Sequence, residues 1–248
     1  MKYDNNNYGI INKDWHSSDS FYKFSKIYHE LEAFIRTFKK NEIIILDVGS
    51  GAGIIGKLFC EFFVSRGITV VFDTVEPNTK LVEVYKEKNS FFRRNFLSWE
   101  LIDTEYDLCL CFDVVEHIQD DTGFISKLAD VSDFGFFNIP VEINLVDFLR
   151  SFYVKNYYKM QEESLGHLHF YSFKTAKKIL SEVSVELKTT FQPYSEIVLL
   201  VASHSHEKQL SSKLRWIELY ISKWIHNFIP YIPRYIIQGS MYSAVRFK

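Results

Sequence analysis

Apolar positions recur along this chain with two alternating periods. Phe21, Phe24, Ile27/Tyr28, Leu31 and Ile35 follow one another at three-to-four spacing, which predicts a helix over Asp19–Lys40. Compact β-branched and aromatic runs follow at Ile43–Leu46, Ile68–Phe72, Phe91–Arg94, Tyr106–Phe112 and Asp133–Pro140. Helical patterns at Ile54–Phe63 and Lys80–Lys88 lie between the first of these runs. Strand and helix in alternation predict an α/β fold around a mostly parallel sheet. Beyond it, Ser172 suits the N-cap of a helix over Lys174–Val183. Val185–Phe191 and Glu196–Ala202 then read as a β-hairpin pair that supplies an antiparallel last strand.

The same patterning divides the chain. Residues 1–40 form a helical N-terminal lid, with Trp15, His16 and Tyr22 just before or within its helix. Residues 41–206 form the α/β core, and Pro140 marks the exit of the fifth strand at the carboxyl edge of the sheet, where open α/β folds bind ligands. A cap insertion over 141–171 therefore sits beside the site and brings Phe148, Phe152, Tyr153, Tyr157 and Tyr158 to it. Residues 207–248 are an extension in which Leu210, Leu214, Ile217, Ile221, Trp224/Ile225 and Phe228 make an apolar stripe. Seven Lys/Arg against two Glu make that extension basic.

Chemistry enters at the first strand, where Ile43–Val48 runs into Gly49-Ser50-Gly51-Ala52-Gly53. Glycines there let the backbone approach a ligand without Cβ interference, and the opening of the next helix offers free amides. Gly51, Gly53 and Gly56 also spell G-x-G-x-x-G, the dinucleotide pattern. In that pattern the first glycine follows the strand directly, whereas here Asp47 and Gly49 come earlier. The Asp47 carboxylate would repel a pyrophosphate and suit a ligand carrying an ammonium group. At the end of the second strand Glu76, followed by Pro77, can accept hydrogen bonds from both ribose hydroxyls. Asp73 is a rival for that role, but it would leave Val75 inside the ligand turn.

These segments, with Asn95-Phe96 after the third strand and Asp113-Val114-Val115-Glu116-His117-Ile118 after the fourth, resemble the class I S-adenosylmethionine-dependent methyltransferases. The last segment is similar to that of the quinone and polysaccharide-cluster enzymes. The resemblance implies a Rossmann-like fold and S-adenosylmethionine as cofactor. It implies a cofactor site of Asp47, Gly49, Ser50, Gly51, Gly53, Glu76, Pro77, Asn95, Phe96 and Asp113, with Tyr22 of the lid over the methionine end. Asn95 would read the adenine edge and Phe96 would lie on its ring, although the family more often has Asp at the former position.

Composition narrows the field. At 248 residues the chain can build one large domain, and its net charge of −2 gives no nucleic-acid signature. Aromatics reach 17%, so single aromatic residues carry little weight as site markers. Cys60, Cys109 and Cys111 make no disulfide framework, and the latter two share one face of a buried strand. A polar start and the lack of an 18-residue apolar run predict a cytoplasmic protein.

Methyl transfer to a hydroxyl needs a base, and a positioned histidine is the usual agent near neutral pH. His117, His167 and His169 lie on elements predicted to border the site. His167 and His169 would share one face of an extended segment, and His167 is the first choice as base. Packing or capping roles remain open for all three; Asp113 and Glu116 could tune a base, bind an acceptor hydroxyl or hold a divalent ion, although no metal ligand set is assigned. The expected activity is O-methylation of a saccharide or another hydroxylated small molecule in polysaccharide biosynthesis. The acceptor could be lipid-linked, with the basic extension touching the inner face of a membrane. N-methylation, a quinone-type phenol acceptor and a non-catalytic S-adenosylmethionine-binding subunit are the alternatives. The stripe could equally pack on the domain or on a second copy in a homodimer.

Overall fold

A computed structural model describes residues 17–201 and 210–248. Trp15 and His16 lie outside the described residues. The chain begins with α1 (Ser17–Thr37) and then alternates β1 (Glu42–Val48), α2 (Ile54–Val64), β2 (Thr69–Val75), α3 (Thr79–Lys88), β3 (Phe92–Phe96) and β4 (Tyr106–Phe112). A 3₁₀ turn over Val115–His117 leads to α4 (Asp121–Val131) and β5 (Ser132–Val141). The cap contributes α5 (Leu145–Tyr153) and α6 (Tyr157–Leu165), followed by α7 (Phe173–Ser181) and β6 (Ser184–Pro193). The final elements are α8 (Tyr194–Leu200), α9 (Lys213–Phe228), the short α10 (Pro233–Ile236) and β7 (Gly239–Phe247).

All seven strands join one sheet in the order β3-β2-β1-β4-β5-β7-β6. The first five pair in parallel, and β7 runs antiparallel to both β5 and β6. Both faces are covered, which is why β1 and β4 read as nearly continuous apolar runs. Ile43, Ile45, Leu108 and Leu110 pack on one face with Phe59, Phe63 and Phe72. Leu46, Val48, Cys109 and Cys111 pack on the other with Phe124, Leu128 and Phe137. The three cysteines are buried and free, and burial pushes the Cys109 thiol up to about 12. At α7 the Ser172 side chain caps the helix in a reciprocal box with Thr175.

Two expectations fail in the last third of the chain. The predicted hairpin is not formed: β6 is followed by helix α8, whose buried Ser195, Ile197 and Val198 follow helical spacing. The partner of β6 is instead β7, with Thr190 opposite Tyr242 and Phe191 opposite Met241. Residues 207–248 are therefore not an appendage outside the core, because their end is an interior strand. Met241, Tyr242, Ser243, Ala244 and Val245 are buried in succession, as a strand covered on both faces requires. Among the described side chains of α9, Leu219 and Ser222 are buried, whereas Ile217, Ile221, Trp224 and Phe228 are each about half exposed or more.

Candidate active site

The β1–α2 turn has the geometry its glycines predict. Gly49, Gly51 and Gly53 all have positive φ, a conformation other residues rarely adopt. A Cβ at Gly49 would fall 2.4 Å from Val114 Cγ2, and one at Gly53 would overlap the Tyr85 ring. Gly53 N–H donates to the Ser50 carbonyl at 2.8 Å, which closes the turn. Beneath it Asp47 is 3% exposed, and its Oδ2 meets no hydrogen-bond donor among the described residues. Burial, reinforced by the charge of Glu76, pushes the Asp47 carboxyl up to about 8.

Glu76 reaches across from the end of β2. Its Oε2 accepts from Gly51 N–H at 3.0 Å and its Oε1 from Asn78 N–H at 2.9 Å, so the glycine turn and the α3 N-terminus hold one carboxylate. Burial raises its pKa, and those two amides oppose the shift. Each carboxylate oxygen keeps further acceptor capacity for ligand hydroxyls. Pro77, half-buried, follows it. Asp73 is engaged elsewhere: Arg93 Nε, Arg94 Nε and the Tyr106 hydroxyl donate to it at 2.7, 2.9 and 2.8 Å.

Asn95 is tied to the end of β2. Its Oδ1 accepts from Thr74 Oγ1 at 2.7 Å and from Glu76 N–H at 2.9 Å, while its Nδ2 donates to the Glu76 carbonyl at 3.0 Å. An amide used in this way clamps the backbone of Glu76, and its second Nδ2 hydrogen is the donor that remains for an adenine edge. Phe96 is half-buried beside it, with the Arg94 guanidinium 4.6 Å above its ring.

A cleft of about 200 Å³ opens at the carboxyl ends of β4 and β5. Asp113 stands at its edge with φ +55°, accepts 2.7 Å from Asn138 Nδ2, and forms an ion pair with Lys23 of α1. Asp19, Tyr22 and Lys23 line the α1 side, and Tyr22 donates its phenol proton to Glu196 at 2.9 Å. Burial raises the Tyr22 pKa far above its ordinary value. Tyr22, Ile197, Val198 and Leu219 make a small apolar cluster that docks α1, α8 and α9 together over the cleft. Its far wall was not foreseen from sequence: Gln192, Pro193 and Tyr194 at the end of β6, and Gln238, Gly239, Ser240 and Tyr242 on β7. A Cβ at Gly239 would lie 2.3 Å from the Gln192 carbonyl, so glycine permits this close approach of the two strands.

The floor of the cleft carries the titratable groups. His167 Nδ1 lies 2.8 Å from Glu142 Oε2, and both side chains are buried. The His117 Nδ1–H donates to the Gly166 carbonyl at 2.9 Å, and the two imidazoles stand edge to face with centroids 4.9 Å apart. Glu116 is 1% exposed; burial, and then the charge of Asp113, push its carboxyl well above the usual range. His169 does not share the face of His167. Leu168 N–H and His169 N–H both donate to the Glu116 carbonyl, which bends the segment away from an extended form. The His169 ring then turns out toward the Gln119 carbonyl, 3.3 Å away, and is absent from the cleft lining. The residues brought together are Glu116, His117 and His167, one donor atom of each lying within 4.8 Å of the others, whereas the sequence placed a conceivable ion at Asp113 and Glu116.

Residues 46–134 match the family model described as "Methyltransferase domain". A ubiquinone biosynthesis O-methyltransferase of Rickettsia typhi is 28% identical over 126 residues, which cover 46% of this chain and 49% of the relative. The matched stretch thus spans about half the length of the curated relatives. Among solved structures, the cyclopropane synthase MmaA2 of Mycobacterium tuberculosis superposes with a TM-score of 0.60 at 12% identity, covering 90% of this chain and 84% of the other. Phosphoethanolamine N-methyltransferase 2 of Haemonchus contortus, solved with S-adenosylhomocysteine, gives a TM-score of 0.57 at 12% identity, covering 96% and 59%. Motif order, sheet topology and domain match agree: the chain carries a methyltransferase domain and has the fold of the class I S-adenosylmethionine-dependent methyltransferases.

Proposed function

We propose that the protein transfers a methyl group from S-adenosylmethionine to a hydroxyl oxygen of a small molecule bound in the cleft. The observation that carries this reading is the His167–Glu142 pair at 2.8 Å on the cleft floor. The residues around the β1–α2 turn fit the cofactor: three positive-φ glycines that leave the turn without side chains, a buried Asp47 oxygen that meets no donor among the described residues, and Glu76 held for paired hydroxyls. When bound there, S-adenosylmethionine supplies a methyl carbon on a sulfonium, whose leaving sulfur takes the electrons of the broken C–S bond. With Nδ1–H of His167 directed to Glu142, its Nε2 is the basic nitrogen and receives the hydroxyl proton as the O–C bond forms. Glu142 fixes the ring and stabilises the imidazolium that results. Asp113, Glu142 and Gln192 offer acceptors and donors for further hydroxyls.

The acceptor class that suits this lining is a molecule with neighbouring hydroxyls, either a sugar diol or a catechol. The curated relatives' O-methyltransferase description supports oxygen as the acceptor atom. The acid-rich floor also favours a second reading, an amine acceptor. Release of S-adenosylhomocysteine from a panel of glycosides, catechols and amines tests both. Turnover of diols or catechols that collapses in His167→Ala supports the first reading. Turnover confined to amines would establish the second, and cofactor binding without release on any of them would leave a non-catalytic subunit.

We propose further that the acceptor is presented at a membrane surface. Trp216, Ile217, Tyr220, Ile221, Trp224 and Phe228 are exposed on α9, and Phe148, Phe152 and Tyr153 on α5. Arg150 of α5 pairs with Glu218 of α9, so the two faces are neighbours. Aromatic side chains interleaved with Lys213, Arg215 and Lys223 suit an anionic lipid interface. No helix among the described residues is long and apolar enough to cross a membrane.

A further inference from the structure

We infer that Glu116, His117 and His167 hold a divalent first-row transition-metal ion on the floor of the cleft. The inference rests on the reading of that cleft as the acceptor site and adds to it the group that binds the acceptor oxygen. Three independent features of the chain converge there. First, Glu116 is almost wholly buried, yet both of its carboxylate oxygens meet no hydrogen-bond donor among the described residues. A buried carboxyl without partners is costly, and in native proteins such a group calls for a partner such as an ion.

Second, both histidines have the orientation of ligands. A carbonyl can only accept, so the His117 Nδ1 facing Gly166 O carries the hydrogen and Nε2 is the ring's basic nitrogen. The Glu142 carboxylate fixes the same tautomer on His167. Metal-binding histidines almost always donate their other ring N–H to a carbonyl or carboxylate in this way. Third, the donor atoms of the three residues lie within 4.8 Å of one another, and His117 Nε2 is 3.8 Å from Glu116 Oε1. Ligands about 2.1 Å from a common ion stand at most about 4.2 Å apart, so small side-chain rotations close the site.

Two imidazoles and one carboxylate favour zinc, manganese, iron or cobalt over magnesium and calcium, which prefer all-oxygen sites. Three protein ligands facing an open cleft leave a coordination position for a substrate oxygen, the arrangement of a catalytic rather than a structural ion. An ion there would orient adjacent hydroxyls and lower the pKa of the one it binds, so that with the ion bound the proton passes to solvent and His167 Nε2 is a ligand; the base role of that nitrogen proposed above belongs to the ion-free site.

Cobalt(II) titration of the full chain, stripped beforehand with a chelator, tests the site. The expected result is one ion per chain, with visible d–d absorption bands. Glu116→Gln and His167→Ala should weaken binding at least a hundredfold, Glu142→Gln about ten- to a hundredfold, and His169→Ala not at all. Glu116→Gln keeps the shape of the side chain, and a retained melting transition and S-adenosylmethionine affinity certify each variant as folded. Cobalt bound equally by wild type and folded Glu116→Gln, or not bound saturably, overturns the site. That failure would leave the transferase reading standing if S-adenosylhomocysteine is still released without metal. Site-specific cobalt binding in a chain that releases none would instead sustain the ion and sink the transferase reading.

Discussion

Asp47 makes cofactor binding depend on pH in a way that its burial specifies. The carboxyl sits under the glycine turn, 3% exposed, and burial with the nearby Glu76 charge raises it to about 8. At pH 7 about nine in ten of the ligand-free molecules therefore carry the proton. A bound cation favours the ionised form. If the bound ligand returns Asp47 to the ordinary carboxylate range, binding at pH 7 releases close to one proton. Affinity should then rise nearly tenfold, about 1.4 kcal/mol, from pH 6 to pH 7 and level off above pH 8. Calorimetric titration of S-adenosylmethionine across that range reads the slope directly, and repetition in buffers of different ionisation heat counts the proton. Asp47→Asn binds a ligand with the same titrations of its own, so the difference between the two slopes belongs to Asp47. The ligand-free proteins give an opposite sign. Because the folded pKa lies above the unfolded value, the stability linked to this proton is complete below about pH 4 and is lost as pH rises toward 8. The Asn variant should thus gain on wild type in melting temperature between pH 5 and pH 8. Parallel affinity curves for wild type and variant from pH 6 to pH 9 would refute the assignment of Asp47 to the cofactor.

Other consequences are as specific. His167→Ala should lower turnover about a hundredfold or more with S-adenosylmethionine affinity unchanged, whereas His169→Ala, turned out of the cleft, should leave turnover intact; equal losses would show that the loop moves as a unit. Asp73, buried among Arg93, Arg94 and Tyr106, has its pKa raised by burial but lowered on balance by those three partners. Its contribution is present above about pH 4 and is lost as pH falls through the folded value, so Asp73→Asn should flatten acid unfolding followed by circular dichroism. Removal of 239–248 takes out the strand between β5 and β6 and should give a chain without a cooperative melting transition. Vesicles of anionic lipid should sediment the wild type at low salt and release it at high salt; a Trp216→Ser, Trp224→Ser, Phe228→Ser variant that sediments equally would reject the membrane surface.

What was legible in the sequence is what local pattern determines. Strands β1 to β5 and their helices announce themselves because buried parallel strands leave dense apolar runs and the turns between them need glycine, proline or a cap. The positions of Asp47, Gly49 and Glu76 followed from the same local logic. Strand β7 did not, since its tract Gly239–Phe247 contains serine, methionine and alanine and sits after two prolines in a basic segment. Its place between β5 and β6 depends on partners about 50 and 100 residues away, which no window along the chain contains. The hairpin reading failed for the same reason: β6 needs an antiparallel neighbour, and the nearest apolar run, Ile197–Leu200, was credited with a role that a distant strand fills.

The active-site floor shows the limit of period-based reasoning more sharply. An extended His167-Leu168-His169 would put both imidazoles on one face, but the Glu116 carbonyl accepts from two consecutive amides and turns the chain between them. The pair that does meet, His117 with His167, is 50 residues apart and is brought together by that same docking through Gly166. One backbone carbonyl therefore decides which histidine enters the cleft and which leaves it. The residue that supplies it, Glu116, also brings a carboxylate oxygen within 4.8 Å of a ring nitrogen of each histidine. A single turn after β4 thus sets both the geometry of the proton chemistry and the ligand set for an ion. The D-V-V-E-H segment is informative for that reason: its spacing turns Asp113 to Lys23 of the lid, Glu116 to the floor and His117 to the docked loop at Gly166, three directions from one five-residue stretch.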